Sequence, residues 1–120
     1  RDPWPVNTLA ITATNMMINN PKMYKKRLHK IHKWIRKEGQ WLHNNLSNFP
    51  SFRPLPSATN FQLIKSESSL LSLIEQLKKK GILLRDCRSF INLGENWLRI
   101  SLQRRENNKY IINTLKRYIK

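Results

Sequence analysis

The sequence predicts an α+β fold: a small sheet of about three strands, covered by helices on one face and preceded by a long helix. Three observations predict it. Apolar residues recur at helical spacing for about six turns between residues 21 and 46. Three short runs, "NFQLIK", "ILLR" and "WLRISLQ", have the length and composition of strands. Two further helices, one between the first and second of these runs and one after the last, give the order α, α, β, α, β, β, α, that of an α+β layer.

In chain order, "PWPVN" is an extended entry, because proline disfavours helix in the residue before it. Asn7 or Thr8 can cap a first helix over Leu9–Asn19, which "NNP" ends. Pro21 suits the first turn of the long helix. Its inward stripe is Tyr24, Leu28, Ile31, Ile35, Leu42 and Leu46, and its other faces carry Lys25, Lys26, Arg27, Lys30, Lys33, Arg36 and Lys37. The segment "NFPSFRPLPSATN", with three prolines, reads as a loop. The first strand covers Asn60–Lys65. The next helix lies in "SESSLLSLIEQLKKKG", with Ser66 or Ser68 as cap, Leu70, Ile74 and Leu77 inward, and Gly81 ending it. Ile82–Arg85 and Trp97–Gln103 are the remaining strands. The last helix follows with Ile111, Leu115 and Tyr118 or Ile119 inward.

The chain has 120 residues, enough for one small domain, and a net charge of +16. That charge raises nucleic acid, anionic membrane or an anionic metabolite as partners. The basic residues are spread along the chain and are not gathered in one tail, so much of the charge reads as solvated surface. Cys87 is the only cysteine, which excludes an internal disulfide and fits a reducing, cytoplasmic compartment. No apolar run approaches membrane-spanning length. The amino end lacks a signal-peptide hydrophobic region and begins abruptly without Met, as an interior point of a longer chain would.

Strand side chains alternate between faces. In "WLRISLQ", Leu98, Ile100 and Leu102 share the face that meets the helices, which aims Arg99 away from the core. In "ILLR", Arg85 lies opposite in sense to Ile82 and Leu84. If these two strands pair, Arg85 and Arg99 share the open face. A guanidinium is a rigid fork that matches carboxylate or phosphate, so two on one face form a two-point anion clamp. The competing reading is two exposed arginines in surface ion pairs.

Other candidates are weaker. Lys25 to Lys37, with Trp34 and Trp41 nearby, have the composition of a nucleic-acid face, but a solvated helix whose tryptophans pack on a partner domain explains them as well. His29 and His32 have no acidic or cysteine companion to complete a metal site, so no metal is expected. Cys87 has no nearby histidine to serve as its base and reads as a buried or incidental thiol. Trp4, Trp34, Trp41 and Trp97 read as packing and domain contacts.

The strings "GILLRDCRSF…LGENWLRISLQRREN", "PWPVN" and "PSATNFQLI" occur in an order that resembles the carboxyl-terminal part of the class I/II aminotransferase superfamily of pyridoxal-phosphate enzymes. The likeness covers nearly the whole chain. It is closest to the histidinol-phosphate aminotransferase group and, through "RDC-x-SF-x-x-LG" followed by "LRIS", to threonine-phosphate decarboxylase of cobalamin synthesis.

The resemblance implies that residues 1–48 are a hinge segment and long linking helices, and that residues 49–120 are the small C-terminal domain. It implies that Arg99 holds the substrate α-carboxylate and Arg85 the phosphate of a phosphorylated amino acid. Asn60 falls in the family's "S-x-x-N-F" strand entry, with a structural hydrogen-bonding role. The cofactor lysine, the aspartate on the pyridine nitrogen and the phosphate loop would belong to a large N-terminal domain, through which the complete enzyme dimerises. No catalytic residue is assigned within this chain. Asn92 stands where the family usually has glycine, and asparagine tolerates left-handed backbone.

Overall fold

The computed structural model describes residues 5–119. Eight elements follow one another: α1 (Thr8–Ile18), α2 (Pro21–Leu46), β1 (Phe52–Pro54), β2 (Phe61–Ser66), α3 (Leu71–Lys78), β3 (Arg85–Asp86), β4 (Trp97–Ser101) and α4 (Arg105–Tyr118). The architecture is α+β, as the sequence predicts. The chain divides between Lys33 and Trp34 into two units. The expected entry "PWPVN" and Trp4 fall partly or wholly outside the described residues.

In the first unit, the Asn7 side chain accepts the Ala10 N–H at 2.8 Å and caps α1. The helix ends at Asn19, whose N–H bonds to the Asn15 carbonyl. The Asn20 side chain then accepts the Met23 N–H at 3.2 Å, with Pro21 in the first turn of α2. No residue of α1 is buried. Tyr24 and Ile31, expected to face inward, are exposed, because no residue of this unit described by the structure is buried and there is no core for the stripe to join.

In the second unit the same helix periodicity does reach a core. Leu42 and Leu46 are fully buried and Ile35 packs against them. They meet Phe52, Ile64, Leu98 and Ile100 from the sheet and Leu77, Ile111, Ile112 and Leu115 from α3 and α4. The sheet is antiparallel with strand order β1-β2-β4-β3. Gln62, Ile64, Leu98 and Ile100 are buried on the helix-covered face, whereas Leu63, Trp97 and Arg99 on the other are only half-buried.

Several local expectations need correction. The sheet has four strands, because β1 lies in the proline-rich segment read as a loop. It is an edge strand, where Pro54 forfeits no ladder bond. The strand expected over Ile82–Arg85 shrinks to Arg85–Asp86. Ile82 is spent on ending α3: its N–H bonds to the Leu77 carbonyl and that of Gly81 to Lys78, the Schellman pattern, with Gly81 at φ 74°. The strand expected to run to Gln103 stops at Ser101. Neither Ser66 nor Ser68 caps α3. Ser66 closes β2, and Leu70 occupies the cap position with no side-chain bond, its N–H held by the Glu95 carbonyl at 2.8 Å. Of the two inward candidates at the end of α4, Ile119 packs on the core and Tyr118 is exposed.

The sequence gives no warning of the contact that ties α4 to α2. Arg105 donates to both oxygens of buried Glu38, at 2.9 and 3.0 Å, and its guanidinium lies 4.4 Å from the Trp41 ring centre. Asn108, fully buried, pairs its side chain with both backbone groups of Gln103 and fixes the turn from β4 into α4.

Candidate anion site on the open face

Pairing sets this site. β4 runs between β2 and β3, and Arg99 on it lies directly opposite Leu63 on one side and Arg85 on the other. Directly opposite residues of antiparallel strands share a face with Cβ atoms roughly 5 Å apart. The alternation of β4 buries Leu98 and Ile100, and so Arg99 and Arg85 both project from the face that the helices leave open.

The two guanidinium groups are held differently. Arg99 rests on Phe61, its terminal carbon 4.8 Å from the ring centre. Its Nε is closed off from solvent and has no hydrogen-bond partner among the described residues. Arg85 is exposed. It donates to the Ser89 hydroxyl at 3.1 Å and lies 5.4 Å from the Phe90 ring centre. Ser89 and Phe90 belong to the loop between β3 and β4, where Asn92 takes φ 65°, the left-handed conformation usually left to glycine.

No acid neutralises this pair among the described residues. Asp86 is engaged by Arg88, which donates to it from Nε at 2.8 Å and approaches it through Nη2 at 2.7 Å. That contact holds the Asp86 carboxyl below the usual carboxylate range and raises Arg88. Two like charges set opposite each other on a sheet cost stability, and an anion placed between them removes that cost. Cys87, just beyond Arg85, is buried. Burial pushes its thiol pKa up, while the Arg99 charge pulls the other way. Its sulfur is 3.6 Å from the Arg85 carbonyl oxygen.

Asn60 stands at the entry to β2. Its backbone carbonyl accepts the Leu102 N–H at 2.8 Å and extends the β2–β4 ladder by one bond, while its side chain is exposed. His29 and His32 are exposed, and no group of three or more His, Cys, Asp or Glu among the described residues can hold a metal ion. The groups gathered here, two guanidinium groups, a hydroxyl and two phenyl rings, have the chemistry to receive an anion. With Gly39, Gly81 and Gly94 as its only glycines, the chain has no glycine-rich loop of the kind that cradles a phosphate. Phe61, Ser89 and Phe90 were not singled out from sequence. For Ser89 and Phe90 the signal was their place beside Arg85, whereas for Phe61 it required the β2–β4 register.

The chain is similar in sequence and in fold to known proteins. Histidinol-phosphate aminotransferase of Methanocella arvoryzae is 30% identical over 115 residues, 94% of this chain and 29% of its own length. A putative threonine-phosphate decarboxylase of Caldanaerobacter subterraneus is 26% identical over 97% of this chain and 31% of its own. Among solved structures, L-threonine-O-3-phosphate decarboxylase from Porphyromonas gingivalis superposes with a TM-score of 0.74 at 28% identity, covering 97% of this chain and 35% of that one. The histidinol-phosphate aminotransferase from Clostridium acetobutylicum, at 24% identity, shares the fold with a TM-score of 0.77 over 97% of this chain and 34% of its own. The chain thus spans less than two fifths of the length of each of these relatives. No family model matches it. Among the described residues no helix is long and apolar enough to cross a membrane.

Proposed function

We propose that this chain, which belongs to the class I/II aminotransferase superfamily of pyridoxal-phosphate enzymes, supplies the substrate-binding domain of an enzyme acting on a phosphorylated amino acid. Arg99 takes the α-carboxylate and Arg85 the phosphate. The observation that carries this reading is the direct cross-strand pairing of Arg85 with Arg99 on the open face, where no acid among the described residues forms an ion pair with either. When bound, pyridoxal phosphate supplies the electron sink for chemistry at the α-carbon.

The chain's own residues decide orientation. A carboxylate held by Arg99 fixes how the α-carbon is presented, and a phosphate held by Arg85 adds binding energy remote from the reacting bond. The remaining parts of the site, including the cofactor lysine, are assigned to a large domain. That domain also covers the exposed apolar residues of α1, such as Leu9 and Ile18. The complete enzyme is a cytoplasmic homodimer.

Within the family, the reaction we favour is decarboxylation of a threonine-phosphate-like substrate in cobalamin synthesis, supported by the "RDC-x-SF-x-x-LG" string. Transamination of histidinol phosphate is the alternative. Histidinol phosphate carries no carboxylate, so in that reaction Arg85 takes its phosphate and Arg99 the carboxylate of the amino-acid partner that exchanges the amino group. Product analysis separates the two reactions: released carbon dioxide for the first, a phosphorylated ketone for the second.

The test is Arg99→Ala in the complete protein. Loss of a bidentate charged contact lowers kcat/KM for the amino-acid substrate by about 100-fold or more, while the cofactor absorbance spectrum is retained. Collapse of cofactor binding contradicts the assignment.

One observation favours a second reading. From Lys22 to Lys37 the exposed face of α2 carries eight Lys and Arg side chains and no acid, as a nucleic-acid-binding module would. Such binding falls steeply with salt, in proportion to the phosphates neutralised. Binding that is insensitive to salt, or absent at physiological ionic strength, removes this reading.

A further inference from the structure

We infer that Phe61 is a positioning residue for the carboxylate fork: its ring sets the plane of the Arg99 guanidinium and directs the Nη1–Nη2 edge outward to receive the ligand end-on. The inference rests on the assignment of Arg99 to the α-carboxylate and goes beyond it by naming what aims that arginine and which edge binds.

Three observations carry it. The Arg99 terminal carbon is 4.8 Å from the Phe61 ring centre, within the range of a cation–π contact. The Nε of Arg99 is sealed from solvent without an acceptor, so the side-on edge of the fork, which uses Nε, is closed to a ligand and the Nη pair remains. Phe61 is itself held in place. Its carbonyl accepts the Ser57 hydroxyl at 2.7 Å, Ser57 and Thr59 lie 3.0 Å apart through their hydroxyls, and Phe61 pairs with Ser101 in the β2–β4 register. A fixed ring beneath a guanidinium restricts rotation about its last torsions. An aliphatic side chain of similar volume fills the space but offers no flat, electron-rich surface to define that plane.

The experiment uses the complete, cofactor-loaded protein and two ligands: a phosphorylated hydroxy-amino acid, and the matching phosphorylated amino alcohol that lacks the carboxylate. Dissociation constants are measured for the native protein, Phe61→Leu, Phe61→Tyr and Arg99→Ala. Phe61→Leu is expected to weaken the amino acid about 10-fold and the amino alcohol less than about twofold. Phe61→Tyr, which keeps the ring, is expected to stay within about twofold of native for both. Where Phe61→Leu does not fold, Phe61→Met serves in its place.

If Arg99→Ala discriminates between the ligands and Phe61→Leu does not, the positioning role alone is overturned. If Phe61→Leu weakens both ligands equally, Phe61 is merely structural. If Arg99→Ala weakens both equally, or neither, the carboxylate assignment falls and the role of Phe61 with it.

Discussion

At the residue scale, Arg85 and Arg99 pair across two strands and share one open face, with no neutralising acid among the described residues. Such a pairing costs stability while no anion is bound. Replacing Arg85 by Leu is therefore expected to raise stability by about 0.2–1 kcal/mol in anion-free buffer. Added inorganic phosphate should stabilise the native protein more than the Arg85→Leu variant. Thermal unfolding with and without phosphate checks both expectations, and an unchanged or lowered midpoint for Arg85→Leu in anion-free buffer contradicts the first. The outward aim of Arg99 was legible in the alternation of "WLRISLQ". The stacking of Arg99 on Phe61 was not, because it depends on which residue of β2 lies beside which residue of β4, and register is not written in either strand alone. Asn92 at φ 65° was legible only through the resemblance, which puts a glycine at that position, together with the tolerance of asparagine for left-handed backbone.

At the element scale, the contact of Glu38 with Arg105 joins α2 to α4 behind the sheet. Glu38 is buried, and the Arg105 hydrogen bonds hold its carboxyl below the usual range despite the opposing effect of burial. A carboxylate whose folded pKa is depressed stabilises the fold fully above its unfolded value, about 4.3 for Glu. That stabilisation is lost as pH falls through the lower folded value. Stability should therefore drop on acidification below about pH 4.3, and this part of the drop should vanish in Glu38→Gln. Removing one partner strands the other in a poorly solvated position, so Glu38→Gln is expected to cost about 2–4 kcal/mol at neutral pH. Urea unfolding across pH measures both effects. Gly81→Ala, forced into φ 74°, should cost about 1–2 kcal/mol by the same method. Helix periodicity and end signals placed α2, α3 and α4 from sequence, and Gly81 was legible as a terminator. The Glu38–Arg105 pair was not, since 67 residues separate its members. β1 was missed because prolines that forbid a central strand are compatible with an edge.

At the scale of the whole molecule, the fold class and most of the element order followed from where helical and strand patterns change. The sequence predicts one long helix with a single inward stripe from Tyr24 to Leu46. It is continuous, but its apolar face is buried only where residues 34–120 supply a core, and Tyr24 and Ile31 remain exposed. Periodicity reports which face is apolar, not what covers it. The anion site is likewise a property of the assembled sheet. It needs β4 placed between β2 and β3, and neither the charge of +16 nor any single motif locates it.

The measurement to make is a pair of affinities in the complete protein: a phosphorylated amino acid and its unphosphorylated counterpart, each against native, Arg85→Gln and Arg99→Gln proteins. A two-point clamp predicts that Arg85→Gln weakens only the phosphorylated ligand, by about 10- to 100-fold, and that Arg99→Gln weakens both ligands by a similar factor. Equal effects of Arg85→Gln on the two ligands, or no effect of Arg99→Gln on either, would contradict a clamp in which one arginine reads phosphate and the other carboxylate.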